Sequence, residues 1–499
     1  MSIEKELQRG ALVNFLGIAG KIAGPAFLLV VTRLYGAEVF GVYVSAAALV
    51  EIAVALLTSG FRDAAVRYVA RYAEEDREKL YDALANAFGF SLGGALVIVA
   101  GAQALGAPAL QATYDFGAEL APAVRVMALV LPLMAFERVV LAATQGLRIM
   151  RYDAFIAGGL KPLTLFGAAF LIHSTLPTVE GLVIAWVLSQ VLSGLAAIGI
   201  YGREFEWRPL GRALRRFRLN RELLGFALPQ NLNMTLNRFL TGIDVLMLGA
   251  LGASAAAVGV YGAGSGVVRE LRQVKLAFSG ALAPQISRLY AQGDLATLGR
   301  VYSSTARWTA TLAVPAILLV ATLHADLLRI FYPGYDGTVA FMLWLLPVPY
   351  LINGFGLAGN VVVMTGHSRL NLINSATIGV VNVGMNFVLI PRFGMAGAAA
   401  ASALGALALA ALEVTQASRI VGVPMQLREV YRPHVAGLVG LGVVLAAGSA
   451  LPFNDLAPAA RIGIGLASVA AYGLVLWALP GRAGPPVGPP PAAEPAAEP

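Results

Sequence analysis

The amino-acid sequence predicts an all-α integral membrane protein with about fourteen transmembrane helices in two six-helix lobes plus two C-terminal helices. Of the 499 residues, 58% are hydrophobic and 13% are charged, whereas an average soluble chain carries about 25% charged residues. The apolar residues form one continuous stretch after another, each near the roughly 20 residues that a helix needs to cross a bilayer. Strands of a membrane barrel would alternate apolar and polar residues, and these stretches do not.

Short polar breaks separate the apolar stretches. The first stretch begins behind Lys5 and Arg9, contains Lys21, and is too long for the apolar region of a signal peptide, so we expect an uncleaved span. The predicted spans are residues 11–31, 39–60, 83–106, 121–143, 154–174, 180–201, 223–249, 254–277, 305–325, 338–364, 370–390, 394–418, 433–451 and 461–479.

The distribution of basic residues predicts the orientation, because Lys and Arg in short loops remain on the cytoplasmic side. With the N-terminus inside, 27 of the 36 basic residues lie in cytoplasmic segments or at the cytoplasmic ends of spans, four lie outside or at the outer ends, and five remain deeper within spans. An even number of spans returns the C-terminus to the cytoplasm. We therefore expect a multi-pass protein of the cell (inner) membrane with both termini cytoplasmic.

The chain contains a weak internal repeat. Residues 41–43 (Gly-Val-Tyr) recur as residues 259–261, and the pattern Tyr-Ala-x-x-Asp-x-x-x-Leu of residues 72–80 recurs at 290–298, both at an offset of 218. Matching positions relative to the spans predict two lobes with the same membrane orientation. The expected division is an N-lobe at 1–202, a basic cytoplasmic linker at 203–221, a C-lobe at 222–420, two added helices at 421–480, and a disordered tail rich in Pro and Ala at 481–499.

Charged residues inside spans are the first candidates for function, since each costs about 2.5–3.5 kcal/mol in lipid. Lys21 shares a helix face with Asn14, and the repeat places Arg238 and Asn231 at equivalent positions of the seventh span. A buried ion pair or a snorkelling side chain would explain the two cations. Their symmetric placement favours a cavity between the lobes that attracts an anion, so these four residues are candidate substrate-binding residues.

Three further charged residues leave alternatives open. Lys161, before Pro162, lies several residues deep and either lines the same cavity or forms a structural pair. Glu51 and Asp244 either bind a coupling proton or cation or balance nearby arginines. They are therefore candidate ion-coupling residues.

Several function classes are disfavoured. There is no cysteine, the four histidines never occur at metal-ligand spacing, and no phosphate-cradling loop or nucleophile elbow stands out. The net charge of +8 is explained by its placement along the membrane rather than by nucleic acid. The longest outside loop, 107–120, is short for a polysaccharide polymerase or ligase. We therefore expect no enzyme, no metal and no cofactor.

Residues 32–43, Thr-Arg-Leu-Tyr-Gly-Ala-Glu-Val-Phe-Gly-Val-Tyr, resemble the first periplasmic turn of the polysaccharide flippases of the multidrug/oligosaccharidyl-lipid/polysaccharide exporter superfamily. The shared pattern is an arginine, a leucine-rich turn with glycine, and Phe-Gly-x-Tyr at the start of the second helix. Tyr35 stands where a second leucine is common. Helix number, repeat layout and the small-residue opening of the twelfth span at 394–400 agree with the resemblance.

The resemblance implies a transporter that flips polyprenyl-pyrophosphate-linked oligosaccharide from the cytoplasmic to the periplasmic leaflet by alternating access, for surface polysaccharides such as the O-antigen of lipopolysaccharide. The implied partners are that lipid-linked oligosaccharide, membrane lipids, a polysaccharide polymerase and glycosyltransferases. Two alternatives remain open: a multidrug cation antiporter with Asp244 or Glu51 as the ion site, and a peptidoglycan-precursor flippase of the lipid II type.

Overall fold

The computed structural model of the protein describes residues 23–333, 337, 339–450 and 456–480. Within that part the chain folds into helices joined by short turns, and it contains no strand. The predicted all-α membrane fold class is therefore confirmed. Asn14 and Lys21 lie outside the described residues.

The first half of the described chain forms an α-helical segment at residues 23–30, nine further α-helices and two π-helical segments, Val31–Tyr35 and Ile156–Leu160. The α-helices are α1 Gly36–Tyr72, α2 Arg77–Thr113, α3 Gly117–Ala128, α4 Leu131–Gly146, α5 Arg151–Phe155, α6 Lys161–His173, α7 Val179–Glu204, α8 Trp207–Arg215 and α9 Arg221–Ala250. The later helices are α10 Ala255–Glu270, α11 Gln273–Ala291, α12 Leu295–Phe331, α13 Phe341–Leu345, α14 Pro347–Phe355, α15 Leu357–Met364, α16 Ser368–Arg419, α17 Leu427–Ala450 and α18 Pro458–Ala478.

Among the described residues, eight helices are long and apolar enough to cross a membrane, or ten if two bent pairs count as one span each. The bent pairs are α3 with α4 and α13–α14 with α15. Every predicted span from the second onward overlaps at least one of the helices, and the eighth, 254–277, covers α10, the break at residues 271–272 and the start of α11. The total of fourteen stays a prediction. Helix α9 is not among the eight, because Asn231, Arg238 and Asp244 make it more polar than a lipid-facing span.

Two glycines in the left-handed region divide long helical stretches. Gly36 has a φ of +83° and separates the π-helical turn from α1, and Gly394 has a φ of +55° and divides α16 into two helices. Residues other than glycine rarely adopt a positive φ. Next to the first break, Arg33 Nε donates to the backbone oxygen of Ile330 at 2.6 Å, near the C-terminal end of α12. The arginine of the family pattern thus caps carbonyls that a helix end leaves unpaired.

The internal repeat of the sequence is visible in two equivalent helix starts. Helices α2 and α12 have the same length, 37 residues. Asp76 precedes α2 and accepts a hydrogen bond from the backbone nitrogen of Lys79 at 3.0 Å, and Asp294 precedes α12 and accepts one from that of Thr297 at 2.9 Å. The repeated aspartate is therefore an N-cap in both places.

The chain divides into two compact units. The first comprises the described residues up to Val267 with Leu327–Trp344 and Ser375–Gly405, and the second comprises Val268–Asp326, Leu345–Asn374 and the described residues from Ala406 onward. The predicted lobes and linker stay a prediction. In the first unit α1 packs against α9, and Gly60 permits a close approach because a Cβ there would lie 1.9 Å from the carbonyl oxygen of Ala227.

Each unit has its own apolar core. In the first unit, side chains of α1, α2, α4 and α7 surround Tyr68, Phe88 and Tyr201. In the second unit, α11, α12, α15 and α16 enclose Ile286, Tyr302 and Val361. The candidate site lies in the first unit, on helices held by that core.

Candidate substrate and ion sites

Three charged side chains from separate helices of the first unit meet at one carboxylate. Glu51 lies on α1, Arg138 on α4 and Arg238 on α9. Glu51 Oε2 accepts a hydrogen bond from Arg138 Nη2 at 2.8 Å and another from Arg238 Nη2 at 3.3 Å. Two guanidinium groups share a single carboxylate oxygen, so this group of three carries one net positive charge.

A second ion pair stands beside it. Lys161 Nζ contacts Glu137 Oε1 at 2.9 Å, and the charge of Lys161 also acts on Glu51. Lys161 is the first residue after the π-helical segment Ile156–Leu160, a type of irregularity that occurs often at functional sites. The five residues, here named the charged cluster (Glu51, Glu137, Arg138, Lys161 and Arg238), thus combine three cations with two carboxylates.

The side chains of the charged cluster are only partly buried. Relative exposure is 45% for Arg238, 28% for Arg138, 24% for Lys161 and 25% for Glu51, whereas Glu137 is 3% exposed. Arg238 lies in the middle of the 30-residue helix α9. At this depth an exposed guanidinium needs water or an anion around it, because hydrocarbon solvates it poorly.

The side-chain amide of Asn231 forms hydrogen bonds to α1 through both its oxygen and its nitrogen. Its Oδ1 accepts from the backbone nitrogen of Gly60 at 2.9 Å, and its Nδ2 donates to the backbone oxygen of Leu56. The side chain is 7% exposed. In this conformation Asn231 fastens α9 to α1, and its part in substrate binding stays a prediction.

Asp244 lies in a separate polar pocket formed by α9, α10 and both halves of α16. Its carboxylate accepts hydrogen bonds from Tyr261 Oη at 3.3 Å, from Asn386 Nδ2 at 3.1 Å and from Ser402 Oγ. Asn386 Nδ2 also donates to Asn382 Oδ1 at 3.0 Å. Ser402 and Asn386 reach the same carboxylate from opposite sides of the break at Gly394.

Among the described residues, hydroxyl and amide groups surround Asp244 and no basic side chain forms a salt bridge with it. No arginine of the described part of the chain therefore balances its charge. Asn386 is fully buried, and its Oδ1 has no hydrogen-bond donor among the described residues. A carboxylate and a free amide oxygen in one partly buried pocket suit a small hard cation, which prefers oxygen ligands.

On the sequence alone, Arg238 and Lys161 were candidates for one cavity, and Glu51 and Asp244 were candidate ion-coupling residues. It was not predicted that Glu51 and Arg138 join Arg238, and none of the side chains around Asp244 was named. One signal was present: Asn382 and Asn386 lie four residues apart in an otherwise apolar span, so they share a helix face. The remaining partners come from distant parts of the chain.

The comparison with known families decides where the chain belongs. A model of the family described as "Polysaccharide biosynthesis protein" matches residues 7–290, which is more than half of the chain. The chain belongs to this family. The membership confirms the resemblance inferred from residues 32–43. No curated protein matches the chain.

Solved structures of membrane transporters share the fold. The lipid II flippase MurJ in an inward closed conformation aligns with a TM-score of 0.69 and 10% identity over 94% of this chain and 99% of that chain. A multidrug resistance MATE family transporter of the MOP superfamily in an inward-facing conformation aligns with a TM-score of 0.64 and 17% identity over 81% and 94%. A MOP superfamily transporter from Pyrococcus furiosus aligns at 0.56 and 17% over 83% and 95%. The protein therefore has the helical fold of these transporters.

Proposed function

We propose that the protein flips a polyprenyl-pyrophosphate-linked oligosaccharide from the cytoplasmic to the periplasmic leaflet by alternating access, as a step in the biosynthesis of a surface polysaccharide such as the O-antigen of lipopolysaccharide. Family membership supports the polysaccharide pathway, and the shared fold supports transport across a membrane. The observation that carries the proposal is the pair of arginines on one oxygen of Glu51, with Arg238 half exposed.

The pairing with Glu51 keeps the arginines compensated while no substrate is bound. A guanidinium without a counter-charge in a low-dielectric site is costly. A diphosphate offers more negative charge and more acceptor oxygens than one carboxylate, and arginine binds such oxygens in a bidentate manner. The substrate diphosphate therefore exchanges with Glu51 for Arg138 and Arg238, and release restores the internal pairs.

The exchange predicts opposite effects for two substitutions in the charged cluster. Arg238→Ala removes a donor to the diphosphate, and affinity for a short-chain polyprenyl pyrophosphate should fall by about 10- to 100-fold, the equivalent of one charge-assisted hydrogen-bonding group. Glu51→Gln removes the competing carboxylate, so the same ligand should bind more tightly. Isothermal titration calorimetry on the purified protein measures both, and a proteoliposome assay measures flipping of a fluorescent lipid-linked disaccharide.

Arg125→Ala is the matched control, because Arg125 lies on α3, which carries no residue of the charged cluster, and its Nε donates to Gln103 Oε1 at 3.2 Å. It should leave both affinity and flipping unchanged. Size-exclusion profiles verify that each variant is folded. Wild-type affinity in the folded Arg238→Ala protein would disprove the role of Arg238, and weaker binding in Glu51→Gln would disprove the exchange.

We propose further that Asp244 binds the coupling ion, either a monovalent cation or a proton. The buried free oxygen of Asn386 next to the carboxylate supports a cation, because it has no donor within the described residues. Glu51 is the weaker candidate, since two arginines already neutralise its charge.

Asp244→Asn tests the ion site with a nearly isosteric neutral side chain. Flipping in proteoliposomes should lose its dependence on an imposed sodium or proton gradient, while affinity for the short-chain polyprenyl pyrophosphate should stay within about twofold of wild type. Gradients of Na⁺ and of H⁺ imposed separately identify the ion. Gradient-driven flipping that persists in Asp244→Asn would rule this site out.

A peptidoglycan-precursor flippase of the lipid II type would use the same diphosphate chemistry, so substrate competition separates it from a polysaccharide flippase. Purified lipid II should compete for flipping more weakly than a lipid-linked O-antigen unit.

A multidrug cation antiporter would instead transport a cationic dye, and the positive charged cluster disfavours that substrate. Dye efflux without diphosphate binding would replace the present proposal.

A further inference from the structure

The segment that joins α7 to α9 carries an unusual number of arginines without partners. It consists of α8 and the residues up to the start of α9, and its basic side chains are Arg208, Arg212, Arg215, Arg216, Arg218 and Arg221. None of the six has a carboxylate within 4.0 Å among the residues that the structure describes. Most of this positive charge is thus available to an external anion.

Apolar side chains of the same segment are exposed beside the arginines. Relative exposure is 47% for Trp207, 38% for Leu214 and 41% for Phe217. Leu210 lies on the same face of α8 as Trp207 and Leu214, and it packs with Ala213 into the core of the first unit at exposures of 4% and 8%, so Trp207 and Leu214 border this buried face. The exposed surface is therefore both apolar and basic, which is typical of helices that lie in a membrane interface.

Short connections hold α8 close to the C-terminal end of α7 and the N-terminal end of α9, where these predicted spans leave the membrane. Residues 205 and 206 alone separate α8 from the end of α7, and residues 216–220 alone separate it from the start of α9. Such short connections leave α8 no room to move far from the bilayer surface. The arginine distribution predicts that this surface is the cytoplasmic one.

A cavity of about 440 Å³ lies between α8 and the first turns of α2. Its charged and polar lining is formed by Arg77, Glu78, Tyr81, Asp82, Glu206, Arg212 and Arg216. Arg77 is paired with Glu206 at 3.0 Å, which leaves Arg212 and Arg216 as the cations without a carboxylate partner among the described residues. Arg212 and Arg216 are one helical turn apart, so their guanidinium groups can bind one phosphate together. Glu78 and Asp82 can accept hydrogen bonds from hydroxyl groups of the same ligand.

We propose that α8 and this cavity bind an anionic phospholipid of the adjacent leaflet, with a hydroxyl-bearing headgroup of the phosphatidylglycerol type. The headgroup phosphate binds Arg212 and Arg216, the headgroup hydroxyls face Glu78 and Asp82, and Trp207 enters the boundary of the acyl chains. An acidic protein partner fits less well, because the exposed apolar side chains of Trp207, Leu214 and Phe217 would remain in water.

Quenching of Trp207 by brominated lipid tests the proposal. The other tryptophans, Trp186, Trp308, Trp344 and Trp477, are replaced by phenylalanine, and the protein is placed in nanodiscs of phosphatidylcholine with increasing fractions of brominated lipid. Brominated phosphatidylglycerol should quench Trp207 at lower mole fraction than brominated phosphatidylcholine. High salt should reduce the difference, because it screens exposed charges.

Arg212→Gln/Arg216→Gln should lower the preference for phosphatidylglycerol by about fivefold for each arginine removed. Arg419→Gln/Arg428→Gln makes the same charge change at exposed arginines of the second unit and should leave the preference intact.

If the single-tryptophan protein does not fold, native mass spectrometry of the wild-type protein and the two double variants counts retained phosphatidylglycerol instead. Equal quenching by both lipids, or an unchanged preference in Arg212→Gln/Arg216→Gln, overturns the lipid site and leaves the arginines to an acidic protein partner.

Discussion

At the scale of single residues, Glu51 explains how a membrane helix bundle can hold arginines at mid-depth. The carboxylate lowers the cost of burying Arg138 and Arg238, yet its single charge cannot neutralise both. Arg238 remains 45% exposed and Arg138 remains 28% exposed. The group of three therefore keeps one net positive charge with both arginines partly exposed, as the proposed exchange with a diphosphate requires.

The two capping aspartates predict a pH-dependent contribution to stability. Hydrogen bonds from Lys79 lower the pKa of Asp76 below its ordinary value, and hydrogen bonds from Thr297 lower the pKa of Asp294. A carboxyl whose pKa is lower in the folded state stabilises the fold above its unfolded pKa, and this contribution is lost as the pH falls through the folded value.

Asp76→Ala and Asp294→Ala should each lower the Tm in detergent by about 1–2 °C near pH 7. The difference from wild type should begin to shrink as the pH falls below the ordinary aspartate pKa of about 3.9, and it should disappear as the pH falls through the lower pKa values of the folded state. Asp115→Ala, in the exposed turn between α2 and α3, serves as control. A difference in Tm that is the same at pH 7 and pH 3 would refute the capping contribution.

At the scale of helices, α1 and α10 cross with no side chain between them. A Cβ on Gly41 would lie 1.7 Å from the carbonyl oxygen of Ala255, and one on Gly259 would lie 2.0 Å from that of Ala37. Gly259 and Ala255 stand 218 residues after Gly41 and Ala37, so the contact is made by equivalent residues of the two repeats. Small residues four apart on both helices allow backbones in a membrane to approach closely, so the repeated Gly-Val-Tyr marks a symmetric contact.

Gly41→Ala and Gly259→Ala should each destabilise the protein by about 1–3 kcal/mol, because the added methyl group meets backbone rather than a flexible side chain. Unfolding in detergent, followed by circular dichroism, measures the loss. Gly199→Ala in α7 is the matched control, since no atom lies within 4 Å of its added Cβ. Equal stability of Gly41→Ala and Gly199→Ala would show that the crossing is not this tight.

At the scale of the whole molecule, a buried ion pair joins two helices of one unit that are far apart in the sequence. In the second unit Arg461, at the start of α18, forms a bidentate pair with Asp326 of α12, with Nε to Oδ2 at 2.7 Å and Nη2 to Oδ1 at 2.5 Å. The side chain of Arg461 is 2% exposed. The guanidinium of Arg461 donates both hydrogen bonds, and this bidentate geometry makes the buried pair specific for one docking geometry of α18.

The absence of cysteine makes the predicted orientation directly testable. Asp115→Cys lies in a turn predicted to be periplasmic, and Gln292→Cys lies in one predicted to be cytoplasmic; both residues are exposed. A membrane-impermeant maleimide should label Asp115→Cys in intact cells and Gln292→Cys only after permeabilisation. The cysteine-free parent gives the background. Labelling in the reverse pattern would invert the topology and the direction of transport.

The sequence by itself was enough to predict the fold class, most helix positions and the family. Each of these depends on local information: apolar runs of bilayer length, an aspartate at a helix start, and the short pattern at 32–43. The repeat was also readable from the chain, although only the structure showed that its copies become equivalent caps and a symmetric helix crossing. The roles of Asn14 and Lys21 stay predictions.

Only the tertiary structure decided which charged residues meet. Glu51 lies 87 residues from Arg138 and 187 from Arg238, and Asp244 lies 142 from Asn386 and 158 from Ser402. Helical periodicity determines the face on which each residue stands, but it carries no information about which other helix packs there. Partners within a bundle depend on interhelical packing, in which small residues such as Gly60 set the distances.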